Sequence, residues 1–266
     1  MKYRKTKIFV KSISFILIFV FLFSFVQDVL IKRASTDAQI IPQFYNEREN
    51  SLDAVYIGSS NCFTYWNSAV AFEEYGLCVY PYSCNSQSFF AAKHIIKEVR
   101  KTQPQATFLI NINGINDGDV SVDSMHYLLD VVPMSWNKLS LTHHLSEING
   151  YTWSDRMEFY FPIIRFHSRT SEITPVDFEV EPDGLKGATT YYPYLNTSKD
   201  VSADVVSTDK RGELSQKLVD YTNDLLDYCD QENIKIVLTN TGLNAIINST
   251  KTNQHKKQNL KKEEFS

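Results

Sequence analysis

Cysteine is scarce in this chain and is not spaced for metal binding. Cys62, Cys78, Cys84 and Cys229 include no Cys-x-x-Cys pair, so neither a zinc site nor a disulfide framework is indicated, and no metal is expected. Cys78 falls in a strand pattern and Cys229 in an amphipathic helical one, where a buried, inert thiol is the simpler role. A basic field is also lacking. Twenty-seven Lys and Arg face 31 Asp and Glu, for a net charge of −4, and the positive charge gathers at the two ends, so no nucleic-acid partner is expected. The 266 residues suit one medium-sized α/β domain plus an anchor.

Long apolar runs are missing everywhere except at the N-terminus. Lys2, Arg4, Lys5, Lys7 and Lys11 precede the run from Ser12 to Val26, whose apolar character fades through Val29-Leu30-Ile31. With Ile8 to Val10 the stretch is long enough for a bilayer core, which needs about 20 apolar residues. No Ala-x-Ala-like cleavage site follows, which favours an uncleaved signal anchor over a signal peptide. The positive-inside rule then places residues 1–11 in the cytoplasm, a single span at 12–31 in the cell membrane and the remainder outside it. Residues 32–50, with Ala34-Ser35-Thr36-Asp37-Ala38-Gln39 and Asn46-Glu47-Arg48-Glu49-Asn50, read as a spacer.

The expected domain covers 51–247 and is three-layer α/β/α with a mainly parallel sheet, flavodoxin-like in type. Apolar runs predict strands at Asp53 to Ile57, Leu77 to Tyr82, Thr107 to Asn113 and Ile234 to Thr241. Thr107 to Ile112 is apolar enough for a strand buried on both faces. Helical spacing marks Gln87 to Arg100 and Leu214 to Asn233, with His94 a packing or surface residue. The βαβ rhythm breaks at about 120–206, an insertion containing Met134 to Leu139, the aromatic-rich Trp153 to Phe166, Gly184-Leu185-Lys186-Gly187 and Tyr191-Tyr192-Pro193-Tyr194. The tyrosines suit either sugar stacking or packing of the insertion. Arg165, His167 and Arg169 suit either an anionic polymer or a helix end. After a short apolar patch at Leu243 to Ile247, the Lys-rich tail 248–266 has the composition of a disordered segment.

Two short loops carry the chemistry. Gly58-Ser59-Ser60-Asn61 follows the first strand and Gly114-Ile115-Asn116-Asp117 the third. Residues just past the carboxyl ends of parallel strands converge on one crevice, so a hydroxyl nucleophile and an amide donor distant in sequence can share a pocket. Gly-Ser-Ser after a strand is also an ordinary βα turn and N-cap. These motifs, in this order, resemble the SGNH/GDSL hydrolase superfamily. Its Gly-Asp-Ser block reads Gly58-Ser59-Ser60 here, as in membrane-anchored relatives active on cell-envelope polymers, such as teichoic-acid D-alanylation and alginate acetylation proteins. Its Gly-x-Asn-Asp block is matched without change by Gly114 to Asp117.

The resemblance implies Ser60 as nucleophile, Asn116 in the oxyanion hole and, in the block that normally supplies a glycine, Ser83 as a backbone N–H donor. It implies no cofactor. A residue with a Cβ at position 83 cannot take positive φ as cheaply as glycine. The fourth block, an Asp-x-x-His beyond the last strand, is not found, so the chain is expected to be truncated relative to such relatives. The single Asp-x-x-His spacing, Asp123-Ser124-Met125-His126, lies too early in the topology. His126 is a weak base candidate that otherwise reads as a surface histidine at a helix start, and His255 reads as a solvated tail residue.

Two functions follow. One is an extracytoplasmic esterase or O-acyltransferase acting on acyl groups of cell-surface glycans, with a surface polysaccharide or acyl donor as substrate and a membrane acyltransferase as a possible partner. The other is a catalytically incomplete protein that keeps the cleft as a binding or scaffold surface.

Overall fold

The computed structural model describes residues 2–31, 36–112, 115, 120–178, 185–189 and 214–240. The patch at 243–247, His255, the tail and the 191–194 tyrosines lie outside these residues. Four strands, β1 (Ala54–Gly58), β2 (Val79–Ser83), β3 (Thr107–Asn111) and β4 (Ile236–Thr239), form one sheet in the order β2-β1-β3-β4. Every neighbouring pair is parallel, with Ala54 opposite both Val79 and Thr107, and Phe108 opposite Ile236. The fold is three-layer α/β.

Successive side chains of a strand point to opposite faces, and both faces of this sheet are covered. Val55, Ile57, Phe108 and Ile110 enter the larger core with Tyr80 and Tyr82, against α5 (Ala92–Val99), α6 (Val122–Leu129), α7 (Trp136–Asn149) and α10 (Gln216–Gln231). Ala54, Tyr56 and Val79 pack on the other face with Cys62, backed by Trp66 and Leu109. Double coverage explains the near-continuous apolar runs of β1 and β3. The short α3 (Ser60–Tyr65) and α4 (Ser68–Tyr75) connect β1 to β2. Asn67 caps α4 by accepting from the Val70 N–H, and the helix ends at Gly76, whose φ of 68° favours glycine.

The interruption after β3 is helical. The segment α6, α7, α8 (Trp153–Tyr160) and α9 (Pro162–Phe166) continues into two 3-10 turns, His167–Ser171 and Pro175–Asp177. Side-chain caps set the boundaries: Ser135 accepts from the Lys138 N–H, and Thr152 with Asp155 forms a capping box.

The segment 32–50, expected as a spacer, contains α2 (Thr36–Phe44), and that helix belongs to the core. Ile40, Ile41 and Phe44 are each 1% exposed, the Tyr80 hydroxyl donates to the Ile40 carbonyl at 2.6 Å, and the Phe44 ring meets Tyr80 and Tyr82 edge-on. The polar flanks on either side masked this apolar face in the sequence.

One helix, α1 (Lys2–Leu30), contains 25 residues, Thr6–Leu30, long and apolar enough to cross a membrane. Its end packs into the domain: Val29, Leu30 and the following Ile31 are buried. Arg169 holds them there, donating to the Leu30 carbonyl at 2.5 Å and to Asp177 at 2.8 Å. Of the two readings of Arg169, an anionic polymer or a helix end, the structure shows the second: its guanidinium is buried at the end of α1. Arg165 instead pairs with the exposed Asp123 at 2.7 Å, and the exposed His167 shares a hydrogen bond with the Ile164 carbonyl at 2.8 Å.

Two stability predictions follow from buried polar groups. Arg169→Met leaves the Asp177 carboxylate buried without its cation, which costs about 3–5 kcal/mol. Urea unfolding should show that loss, and Arg169→Met/Asp177→Leu should recover most of it. His94, on α5, packs its ring on His144 with centroids 5.2 Å apart. Burial pushes its pKa down from 6.5 to about 4, helped by the charges of His144, Lys97 and Lys93. The folded state therefore holds His94 neutral while the unfolded chain takes up a proton below 6.5. Stability is full above pH 6.5 and falls as pH drops toward 4, by roughly 3 kcal/mol for this residue. His94→Gln should flatten that slope in urea titrations between pH 7 and 4.5; an unchanged slope rules the assignment out.

Candidate functional site

The strand order has a reversal next to β1: the chain moves from β1 outward to β2, then crosses back to β3 on the other side. Such a reversal, just past the carboxyl ends of the two strands, is the usual ligand position in open α/β sheets. Gly58-Ser59-Ser60 leaves the carboxyl end of β1, and the carboxyl end of the parallel β3 lies beside it.

Ser60 is the first residue of α3 and is half-buried. Among the described residues its hydroxyl makes no hydrogen bond, and neither does that of the preceding Ser59, the N-cap residue. The Ser60 carbonyl accepts from Thr64 Oγ1 at 2.8 Å, which fixes the first turn. Gly58 is required by close approach: a Cβ there would lie 2.6 Å from Cys62 Sγ and 2.7 Å from Asn111 Cβ. The serine loop is thus pressed onto the end of β3.

Ser83 ends β2 directly opposite Gly58 in register and is fully buried. Its φ is not positive; the left-handed residue of this turn is Ser86, at 52°. The strain anticipated from replacing glycine at position 83 therefore does not arise. Asn116, with Gly114 and Asp117, lies outside the described residues. The flanks of that loop are anchored: the Ile112 N–H donates to the Thr239 carbonyl at 2.8 Å, the Val120 N–H donates to Asn149 Oδ1 at 3.1 Å, and the Tyr151 hydroxyl donates to the Val120 carbonyl.

His126 is not a surface residue. It is 6% exposed, and its Nδ1 lies 2.9 and 3.0 Å from the two carboxylate oxygens of Asp130, one helical turn on. Asp123, the carboxylate of the Asp-x-x-His spacing, is on the surface with Arg165. The Nε2 atom of His126 is buried without a hydrogen-bond partner, 3.8 Å from Glu158, while the ring packs on Phe159 and Phe166. All of these contacts come from α6, α8 and α9. In this conformation Nε2 is closed to substrate.

Sequence reasoning missed a polar floor beneath the serine loop. Tyr56 of β1 accepts from Asn111 Nδ2 of β3 and from Thr239 Oγ1 of β4, each at 3.2 Å. The Cys62 thiol joins them by hydrogen bonds to Asn111 and Tyr56, yet burial outweighs these and pushes it up to about 12. Cys62 stays a thiol at neutral pH and offers this loop no thiolate. The alternating positions of Tyr56 and Asn111 in their strands were the available signal.

The chain matches no family model, no curated protein and no solved structure. The close approach at Gly58 gives a direct test. Gly58→Ala must separate the serine loop from Asn111, and overpacking of this kind costs about 1–3 kcal/mol. A variant with the wild-type urea midpoint would show that the loop is not pressed against β3.

Proposed function

We propose that the chain is a membrane-anchored, extracytoplasmic serine esterase or O-acyltransferase of the SGNH/GDSL type, acting on acyl groups of cell-surface glycans. The observation that carries this reading is the position of Ser60, half-buried and with an unengaged hydroxyl, at the first turn after β1, at the carboxyl end of a parallel sheet and beside its strand-order reversal. The loop expected to carry Asn116 leaves the adjacent strand at the same end.

In this mechanism the Ser60 oxygen attacks the ester carbonyl while a histidine takes its proton. The oxyanion is held by the Asn116 amide and by the backbone N–H groups of Ser60 and Ser83. Collapse of that intermediate breaks the bond to the leaving alkoxide, which takes the proton back, and leaves the acyl group on Ser60. Water then completes hydrolysis, or a glycan hydroxyl completes transfer. A membrane acyltransferase that delivers the acyl group is the partner this chemistry calls for. The basic residues Lys2, Arg4, Lys5, Lys7 and Lys11 at the N-terminal end of α1 support the extracytoplasmic placement.

One observation favours a second reading, a binding or scaffold component without turnover. His126 already has a carboxylate partner, as a general base would, but its Nε2 is sealed by Phe159, Phe166 and Glu158. A serine without its base retains only the rate supplied by oxyanion binding.

Treating the full-length protein in detergent with a fluorophosphonate, and reading intact mass for wild type, Ser60→Ala and His126→Gln, separates the two. Stoichiometric labelling lost in Ser60→Ala supports the enzyme, and a further drop of at least tenfold in His126→Gln assigns the base. Folded wild type that takes no label supports the scaffold reading.

A further inference from the structure

The segment from Phe161 to Arg169 climbs along the end of α1, and two contacts fix its height. At one end the Phe161 ring meets Phe23 edge-on, with centroids 6.2 Å apart; at the other, Arg169 donates to the Leu30 carbonyl at 2.5 Å. Phe23 and Leu30 are one α-helical stretch apart, a rise of about 10 Å at 1.5 Å per residue. Polarity changes over that rise. Phe161-Pro162-Ile163-Ile164 comes first, with Phe161 and Ile164 exposed, and Arg165, His167 and Ser168 follow before Arg169. The loop ahead of α7 repeats the pattern on a second segment. Met134 is exposed and walls the same gap as Phe21 and Phe25 of α1, and Trp136, the first residue of α7, is 87% exposed.

Large apolar side chains left uncovered side by side mark an interaction surface. The depth of α1 in a membrane identifies what covers this one. Between Lys7 and Asp28 the helix carries a single charge, Lys11, and that stretch is ~30 Å long, the thickness of a bilayer core. Lys11, near its cytoplasmic end, can snorkel to the headgroups. Asp28 then marks the outer boundary, and Phe23 lies about 7 Å inside it. Whatever packs against Phe21, Phe23 and Phe25 on the outside of the domain therefore stands at the edge of the hydrocarbon. The exposed residues there are Phe161, Ile164 and Met134, and charged side chains enter only as the chain rises toward the level of Leu30. Trp136 has the amphipathic ring that suits the headgroup level. The face is continuous with α1 through the contact of Phe161 with Phe23.

We infer that the domain itself dips into the bilayer. Phe161, Ile164 and Met134 insert among the acyl chains at the outer edge of the hydrocarbon core, and Trp136 lies among the headgroups. The protein then meets lipid at two places, the spanning helix and a second, interfacial surface on the domain. The inference rests on α1 crossing the membrane and is independent of Ser60 chemistry.

The test uses the full-length protein carrying Cys78→Ser, since Cys62, Cys84 and Cys229 are buried, reconstituted in vesicles of phosphatidylcholine and phosphatidylglycerol. A nitroxide is attached in turn at Ile164→Cys, Met134→Cys, Phe15→Cys in the middle of α1 and Phe72→Cys on α4. All four positions are exposed, so the label displaces no packing. Electron paramagnetic resonance then compares collisions with oxygen, which concentrates in hydrocarbon, and with a nickel chelate, which stays in water. The oxygen-to-nickel ratio at Ile164 and Met134 should exceed that at Phe72 about fivefold and approach that at Phe15, as burial of an apolar face in the acyl boundary requires. Ratios at Ile164 and Met134 equal to that at Phe72, with Phe15 in lipid, overturn the proposal and leave the anchor standing. A Phe15 label in water removes the anchor and the proposal together. Protection of Ile164 and Met134 from both reagents identifies a partner protein or a second copy on this face, and also overturns it. Should one of the two labelled variants not fold, the other decides.

Discussion

The ladder that holds β1 between β2 and β3 is the constraint on which the molecule depends. A strand paired on both edges and covered on both faces has no free surface along its length, so its chemistry can only appear where it ends. In a parallel sheet that end is shared with its neighbours. Register places Ser83 beside Gly58, and the missing Cβ at Gly58 lets the next turn touch Asn111. Ser60 inherits its position from these packing requirements rather than from any interaction of its own hydroxyl.

The helices after β3 solve a second problem, that of attaching a long apolar helix to a water-exposed domain. Backbone carbonyls at a helix end need donors, and Leu30 receives one from Arg169, whose charge is in turn held by Asp177. The same insertion brings Lys138 and Asp130 to the wall of α1. Polar groups are thus gathered where the long apolar helix joins the domain, and α2 packs its apolar face into the core.

How much of this was legible in the sequence depends on whether the governing interaction is local. β1, β3 and the crossover helix over Ala92–Val99 were legible because strands buried on both faces and amphipathic helices announce themselves through period and composition. The helical insertion was legible only as an interruption. The core role of Ile40, Ile41 and Phe44 was hidden by their polar flanks. Arg169 was ambiguous because its partners lie 8 and 139 positions away, and no window spans that distance. For His126 the Asp-x-x-His spacing points to a carboxylate three residues earlier, while the actual partner, Asp130, lies four residues later on the same helical face. The fold was therefore readable from periodicity, whereas the environment of each candidate group was a property of tertiary contact. Asn116 lies outside the described residues and stays where the motif alone puts it.

The grip of Arg169 on the last turn of α1 has a mechanical consequence. A domain joined to its anchor by a floppy tether sweeps a hemisphere and samples many heights above the lipid. Here the anchor and the body share a hydrogen bond and a buried face, so the body stands like a bracket on a post. With α1 as the proposed membrane anchor, the Ser60 loop is held at one stand-off and one tilt above the lipid. On that proposal, lateral diffusion in the plane of the membrane, rather than swinging, sets the area that one molecule can serve.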